Sequence, residues 1–236
     1  MRCNDASLAS LSIGVVVYAY TQQAKERQMD ITAQLRSAIL EGKYPPGTLL
    51  SQTDLAREYA VSRIPIRDAL LGLAADKLIE VLPGKGARVV TLSTKELEEV
   101  FELRIMLECD LLRRAVLNAG EEAKSEVLYV LKRSSLEAGR PGWQKGDWDF
   151  HRALYSAADR PRQLALVDEL RKICVVQACK YTVLAAETER WLHDHEAIVE
   201  AYVGGCADEA SALLTNHLRA SLDKLLSLTR ELDKDS

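Results

Sequence analysis

Residues 51–90 read SQTDLAREYAVSRIPIRDALLGLAADKLIEVLPGKGARVV, and their punctuation decides the fold of the first third of the chain. Ser51 stands where its hydroxyl can cap the amide three residues on, with Asp54 placed to reach back. That predicts a short helix with Leu55, Ala56 and Tyr59 inward and a turn at Ala60-Val61. Ser62 is expected to cap a second helix, Arg63 to about Asp76. Pro65 falls in its first turn, where a missing N–H is harmless. Ile66, Ala69, Leu70 and Leu73 form its apolar stripe. Leu78–Val81 and Ala87–Val90 then alternate as two short strands, with Pro83-Gly84-Lys85-Gly86 as the hairpin between them.

Working outward, Asp30 opens a preceding helix with Ile31, Leu35, Ala38 and Ile39 on one face, ended by Gly42 and Pro45-Pro46-Gly47. Three helices and a β-hairpin in this order form a winged helix-turn-helix, expected over residues 30–92. Such a unit sets the start of its second helix-turn-helix helix against DNA bases. Arg63 and Arg67, four apart, share a face there and can grip guanine or phosphate. Lys85 and Arg88 add charge to the hairpin, whose glycines permit a close approach to a nucleic-acid backbone.

Composition is consistent with this reading and narrows the rest. The 236 residues are 47% apolar and 28% charged, a globular balance sufficient for two ordinary domains. The net charge of −4 gives no bulk attraction to nucleic acid, so DNA contacts must come from local arginines and lysines. Five cysteines without a Cys-x-x-Cys argue against a disulfide framework or a four-cysteine zinc site, and for a reducing cytoplasm. Leu8–Tyr20 is apolar but too short to span a bilayer, and it lacks the flanks of a signal peptide. Residues 1–29 are read as an N-terminal extension without an assigned role, and no membrane partner is expected.

From Thr94 the apolar period is near 3.6. Helices are expected at about 94–118, 121–138, 143–158, 161–186, 188–203 and 206–230, forming an antiparallel bundle over residues 93–230. Polar residues sit on its apolar faces. Asp147 and His151 lie in the stripe Trp143, Asp147, Phe150, His151, Leu154, Ala158. His195 shares a face with Leu192, Val199 and Tyr202, and His217 with Leu213, Leu214, Ser221 and Leu225. His193 falls on another face. A buried carboxylate needs a partner, and one carboxylate with three imidazoles suits a divalent ion such as Zn, Ni, Co, Mn or Fe. Arg104 lies among Leu97, Val100, Phe101, Leu107 and Leu111; either Glu108, one turn on, neutralises it, or it clamps a ligand carboxylate.

The stretch LRSAILEGKYPPGTLLSQTDLAREYAVSRIPIRDALLGLAADKLIEVLPGKGARV resembles, over roughly residues 31–92, the GntR family of bacterial regulators. That resemblance puts Ser62, Arg63, Arg67 and Gly84 where family members touch DNA. Members such as FadR carry a DNA-contacting Arg where this chain has Thr53. ELRIMLE, GDWDFHRALYSAA, HDHEAIVEAY and NHL resemble the C-terminal FCD domain of the FadR subgroup. By that resemblance Asp147, His151, His195 and His217 match a one-Asp, three-His metal set. FadR itself lacks the set and binds an acyl-CoA, so that ligand is not expected here. The resemblance implies a homodimeric repressor on an inverted-repeat operator, released by a small organic acid bound near the metal and Arg104. Two alternatives stand beside it. One is a metal-dependent hydrolase, weakened by the absence of a separate general base. The other is a regulator with a purely structural metal.

Overall fold

The computed structural model describes residues 31–138, 143–178 and 188–234. Expectations for residues 1–30, including the helix start at Asp30, and for residues 179–186 lie outside these. The chain divides into two compact units, one holding Gly47–Val89 with the helix before it, the other holding Val90 onward.

In the first unit, α1 (residues 31–40) buries Ile31, Leu35, Ala38 and Ile39, the stripe its spacing dictates. β1 (Leu49–Leu50) follows, a strand the sequence reading did not include. Its two residues are too short for alternation to signal; only pairing reveals it. Ser51 caps α2 (Gln52–Glu58) by accepting from the Asp54 N–H at 3.4 Å, while Asp54 turns to Arg57. α2 buries Leu55 and Ala56, with Tyr59 half-buried beyond its end. Ala60 closes the turn in the left-handed region at φ 52°.

α3 (Arg63–Ala75) buries Ile66, Ala69, Leu70 and Leu73. Ser62 is its N-cap residue, but its hydroxyl makes no capping hydrogen bond, against expectation. The extended Ser62 backbone suffices to start the helix, and Pro65 leaves one fewer amide to satisfy. β2 (Ile79–Leu82) and β3 (Gly86–Val89) form the hairpin one residue off the predicted bounds. β1 pairs antiparallel with β3 in the order β1-β3-β2, Leu50 opposite Ala87 and Ile79 opposite Val89. Gly86 has φ +99°, and a Cβ there would stand 2.3 Å from the Leu50 carbonyl oxygen. A side chain at Gly86 would therefore break the pairing with β1.

The second unit is a helical bundle. Ser93 starts α4 (Thr94–Asn118) with a full capping box, its hydroxyl taking the Glu96 N–H and the Glu96 carboxylate taking the Ser93 N–H. α5 (Glu121–Glu137), α6 (Trp143–Ser156), α7 (Pro161–Ala178), α8 (Thr188–Val203) and α9 (Ala207–Lys234) follow. α6 ends two residues before the predicted bound, where the chain turns toward Asp159 at φ 52°. α4 packs on α6, α7 and α9, and α5 packs on α6 and α8. Tyr155, Tyr202, Phe101 and Phe150 are the largest side chains fully enclosed between them. Among the described residues, no helix is long and apolar enough to cross a membrane.

Candidate metal centre and DNA-reading surface

His151 on α6, His195 on α8 and His217 on α9 come together because each occupies an apolar stripe of a helix that must face the core. All three are buried, and one ligand nitrogen of each lies within 4.8 Å of the others. The ring centroids are 5.1 Å apart for His151–His195, 4.8 Å for His195–His217 and 5.6 Å for His151–His217. Phe150 packs on His195 at 4.4 Å between centroids.

Hydrogen bonds around the trio determine which nitrogens are free. The Tyr155 hydroxyl donates to Glu108 Oε2 at 2.7 Å, so its oxygen accepts from His151 Nδ1–H at 3.2 Å. His217 Nδ1 lies 3.2 Å from Asp194 Oδ2, an acceptor, and therefore carries the proton. Both rings thus turn an Nε2 lone pair inward. The Nε2 atoms of His151 and His195 are buried without a hydrogen bond, as is His195 Nδ1. A buried polar atom left unpaired costs about 1–3 kcal/mol, and a cation held by these lone pairs removes that cost. The donor set fits a divalent ion.

Burial, aided by the nearby Arg171 guanidinium, pushes His151 well below the ordinary imidazole range. Burial also takes His195 down to about 3, against the pull of Asp147. Both rings are neutral near pH 7, the form a metal requires.

Asp147 is half-buried on α6. Its Oδ2 accepts from Arg171 Nη2 at 2.7 Å, while Oδ1 stands 3.8 Å from His151 Nε2 and 3.6 Å from His195 Nε2. The structure therefore brings all four sequence-selected residues to one place. His193 is exposed.

Arg104 departs from the picture of an uncommitted clamp. Its Nε donates to Glu108 Oε1 at 2.8 Å, and Phe101 covers the guanidinium at 4.6 Å. Although burial opposes its charge, Glu108 raises its pKa. Any incoming anion would share Arg104 with Glu108.

The sequence reading missed Arg171, Tyr155 and Asp194. Arg171 bonds Asp147, lies 3.7 Å from Glu108 Oε2 and stacks on Trp148 at 4.6 Å. A signal existed: Leu164, Val167, Cys174 and Ala178 line one stripe of α7, and Arg171 falls in it at helical spacing.

In the first unit Thr53, Ser62, Arg63, Arg67, Gly84 and Lys85 are all exposed. Arg63 and Arg67 stand on the first turns of α3, with Arg67 Nε 3.4 Å from the neighbouring Asp68. Gly84 takes φ +72° with open space where a Cβ would go.

Comparison with known proteins identifies both parts of the chain. The model of the bacterial regulatory proteins, gntR family, matches residues 27–89, and that of the FCD domain matches residues 99–220.

The chain belongs to the GntR family.

This GntR regulator is 30% identical to the uncharacterized HTH-type transcriptional regulator BphR of Paraburkholderia xenovorans (strain LB400), over 80% of its own length and 81% of the relative's. It is also 30% identical to the HTH-type transcriptional repressor GlaR of Escherichia coli (strain K12), over 78% and 89%. The solved structure of E. coli McbR/YncC superposes with a TM-score of 0.72 at 18% identity, over 86% of this chain and 98% of that one. The chain is thus a DNA-binding transcriptional regulator with an FCD domain. These relatives are regulators, not enzymes, which removes the support for the hydrolase alternative.

Proposed function

We propose that this GntR regulator is a cytoplasmic homodimeric repressor whose hold on an inverted-repeat operator is set by a small organic acid bound beside a divalent metal. Asp147, His151, His195 and His217 hold the ion, which supplies a Lewis-acidic anchor for the carboxylate. Arg104 and Arg171 give the same site its cationic wall. Ser62, Arg63, Arg67, Gly84, Lys85 and Thr53 meet the DNA, the wing glycine allowing the backbone to approach closely. The observation that carries the reading is the set of buried Nε2 atoms at His151 and His195, unpaired and backed by Asp147 Oδ1. A regulator need not bury three imidazoles around an unsatisfied centre unless something is bound there. Repression is inferred from GlaR, a repressor, and dimerisation from the need of two recognition helices to read two half-sites.

The test is a gel-shift on the DNA upstream of the chain's own gene, at fixed salt, with metal-free and zinc-loaded protein. Small mono-, di- and hydroxycarboxylates are then titrated. At least one acid should weaken the complex in the zinc-loaded protein only. If every acid leaves both forms unmoved, the effector reading fails. A second reading has an observation in its favour: Arg104 and Arg171 are each already paired with a carboxylate. In that case the metal is purely structural and ties α6, α8 and α9 together. Zinc would then raise the melting temperature without altering DNA affinity under any acid.

A further inference from the structure

α7 reaches the candidate centre at one point and the start of the FCD domain at another. Arg171 holds Asp147 Oδ2 and faces Glu108. Six residues on, a rise of about 9 Å along the helix, Gln177 is buried at 9% exposure. Its Nε2 donates to the Val90 carbonyl at 3.2 Å, and its Oε1 accepts from the Leu92 N–H, also at 3.2 Å. Val90 and Leu92 lie in the same compact unit as α7, immediately after β3 ends at Val89. The segment then enters α4 through the Ser93 capping box.

These contacts close a circuit. α4 carries Glu108, Glu108 faces Arg171, Arg171 leads along α7 to Gln177, and Gln177 returns to the chain just before α4. A neutral primary amide is suited to the task, since it offers a donor and an acceptor side by side. Here it fastens a carbonyl and an N–H two residues apart, as a neighbouring strand would. The segment it fastens carries the chain from the end of β3 into α4. Nothing in the sequence marks Gln177, because a glutamine on a helix is ordinarily solvated.

We propose that Arg171 and Gln177 are positioning residues that tie occupancy of the candidate metal centre to the Val90–Leu92 segment. The proposal rests on the metal reading above. A cation held by Asp147 would compete with Arg171 for that carboxylate's charge and would weaken the Arg171–Asp147 pair relative to Arg171–Glu108. The helix bearing Arg171 responds as a unit, and Gln177 moves with it. A tie of this kind exists only as a difference in stability between the two arrangements.

The test is hydrogen exchange of the full chain, metal-free and zinc-loaded, read at the Leu92 amide, with zinc content measured on the same samples. In the wild type, zinc should change Leu92 exchange at least about fivefold, the lower end of ordinary coupling between sites. Arg171→Met, which frees Asp147, should alter Leu92 exchange already in the metal-free protein. Gln177→Ala should bind zinc and exchange Leu92 rapidly in both states. Wild-type protein that binds zinc with unchanged Leu92 exchange overturns the tie and leaves the metal reading standing. Protein that binds none of zinc, nickel or manganese overturns the metal reading. The tie is then judged on metal-free protein, where Arg171→Met must alter Leu92 exchange relative to wild type, and an unaltered amide overturns it.

Discussion

Gly86 shows how one residue carries a tertiary demand. Its positive φ and the Leu50 carbonyl 2.3 Å from any Cβ both forbid a side chain. Gly86→Ala should destabilise the DNA-reading unit by more than about 1 kcal/mol, measured by urea unfolding. Gly84→Ala carries strain at φ +72° but meets nothing, so it should cost less. In the FCD domain the corresponding residue is His217, whose Nδ1 is tied to Asp194 so that Nε2 is left inward. The His217 ring also draws the Asp194 carboxyl below its usual range, chiefly through that hydrogen bond. His217→Ala should lower zinc content from about one ion per chain, with a loss of the zinc-dependent rise in melting temperature. Elemental analysis and thermal denaturation read the two effects, and unchanged zinc content would remove His217 from the ligand set.

At the scale of elements, α3 and α4 start by different devices, and the difference predicts different sensitivities. α4 relies on the Ser93–Glu96 capping box, so Ser93→Ala should cost about 0.5–2 kcal/mol, read by chemical denaturation. Ser62 makes no capping bond to α3, so Ser62→Ala should leave stability nearly unchanged while any loss appears in DNA affinity. That separates a folding role from a DNA role at one position. Arg63→Ala and Arg67→Ala should each weaken operator binding by about 1–3 kcal/mol if they read bases. If they touch only phosphate, the loss should be uniform across sequences, with a shallower salt dependence. Wild-type affinity from both at matched salt would exclude α3 as the reading helix.

For the whole molecule, the buried imidazoles link stability to pH. His151 and His195 stay neutral in the folded, metal-free chain well below the unfolded value near 6.5. Their folded pKa is depressed, so the unfolded state binds more protons once pH drops below 6.5. Stability is therefore full above that pH and lost as pH falls, until His195 itself titrates near 3. Each histidine contributes a slope of up to about 1.4 kcal/mol per pH unit. Urea unfolding of chelator-treated protein should be flat between pH 7 and 8 and fall steeply from about pH 6.5 to 5. Replacing His195 with Gln should reduce that slope; an equal slope would show that His195 is not the buried neutral ring described here.

Much of this was legible in the sequence because periodicity and punctuation are local physics. The stripes of α1, α3 and α4, the helix breaks at Gly120 and Pro161, and the hairpin glycines all follow from the chain's own backbone preferences. The inward placement of Asp147, His151, His195 and His217 was legible for the same reason: a helix buries one face, and these residues lie on it. What the sequence could not supply is which groups share the space once those faces meet. β1 exists only because Leu49 and Leu50 find β3. Arg104 meets Glu108 one turn along its own helix, a pairing the sequence already offers, whereas Arg171 acquired its meaning when α7 brought it to Asp147 on α6. The tautomers of His151 and His217 depend on Tyr155 and Asp194, and the fastening of Val90 and Leu92 depends on Gln177, 87 and 85 residues away in the chain. Hydrogen bonds and charge pairs between distant residues leave no period in a sequence; only the fold, by bringing buried polar atoms within reach, decides which of them are satisfied and which remain to bind something else.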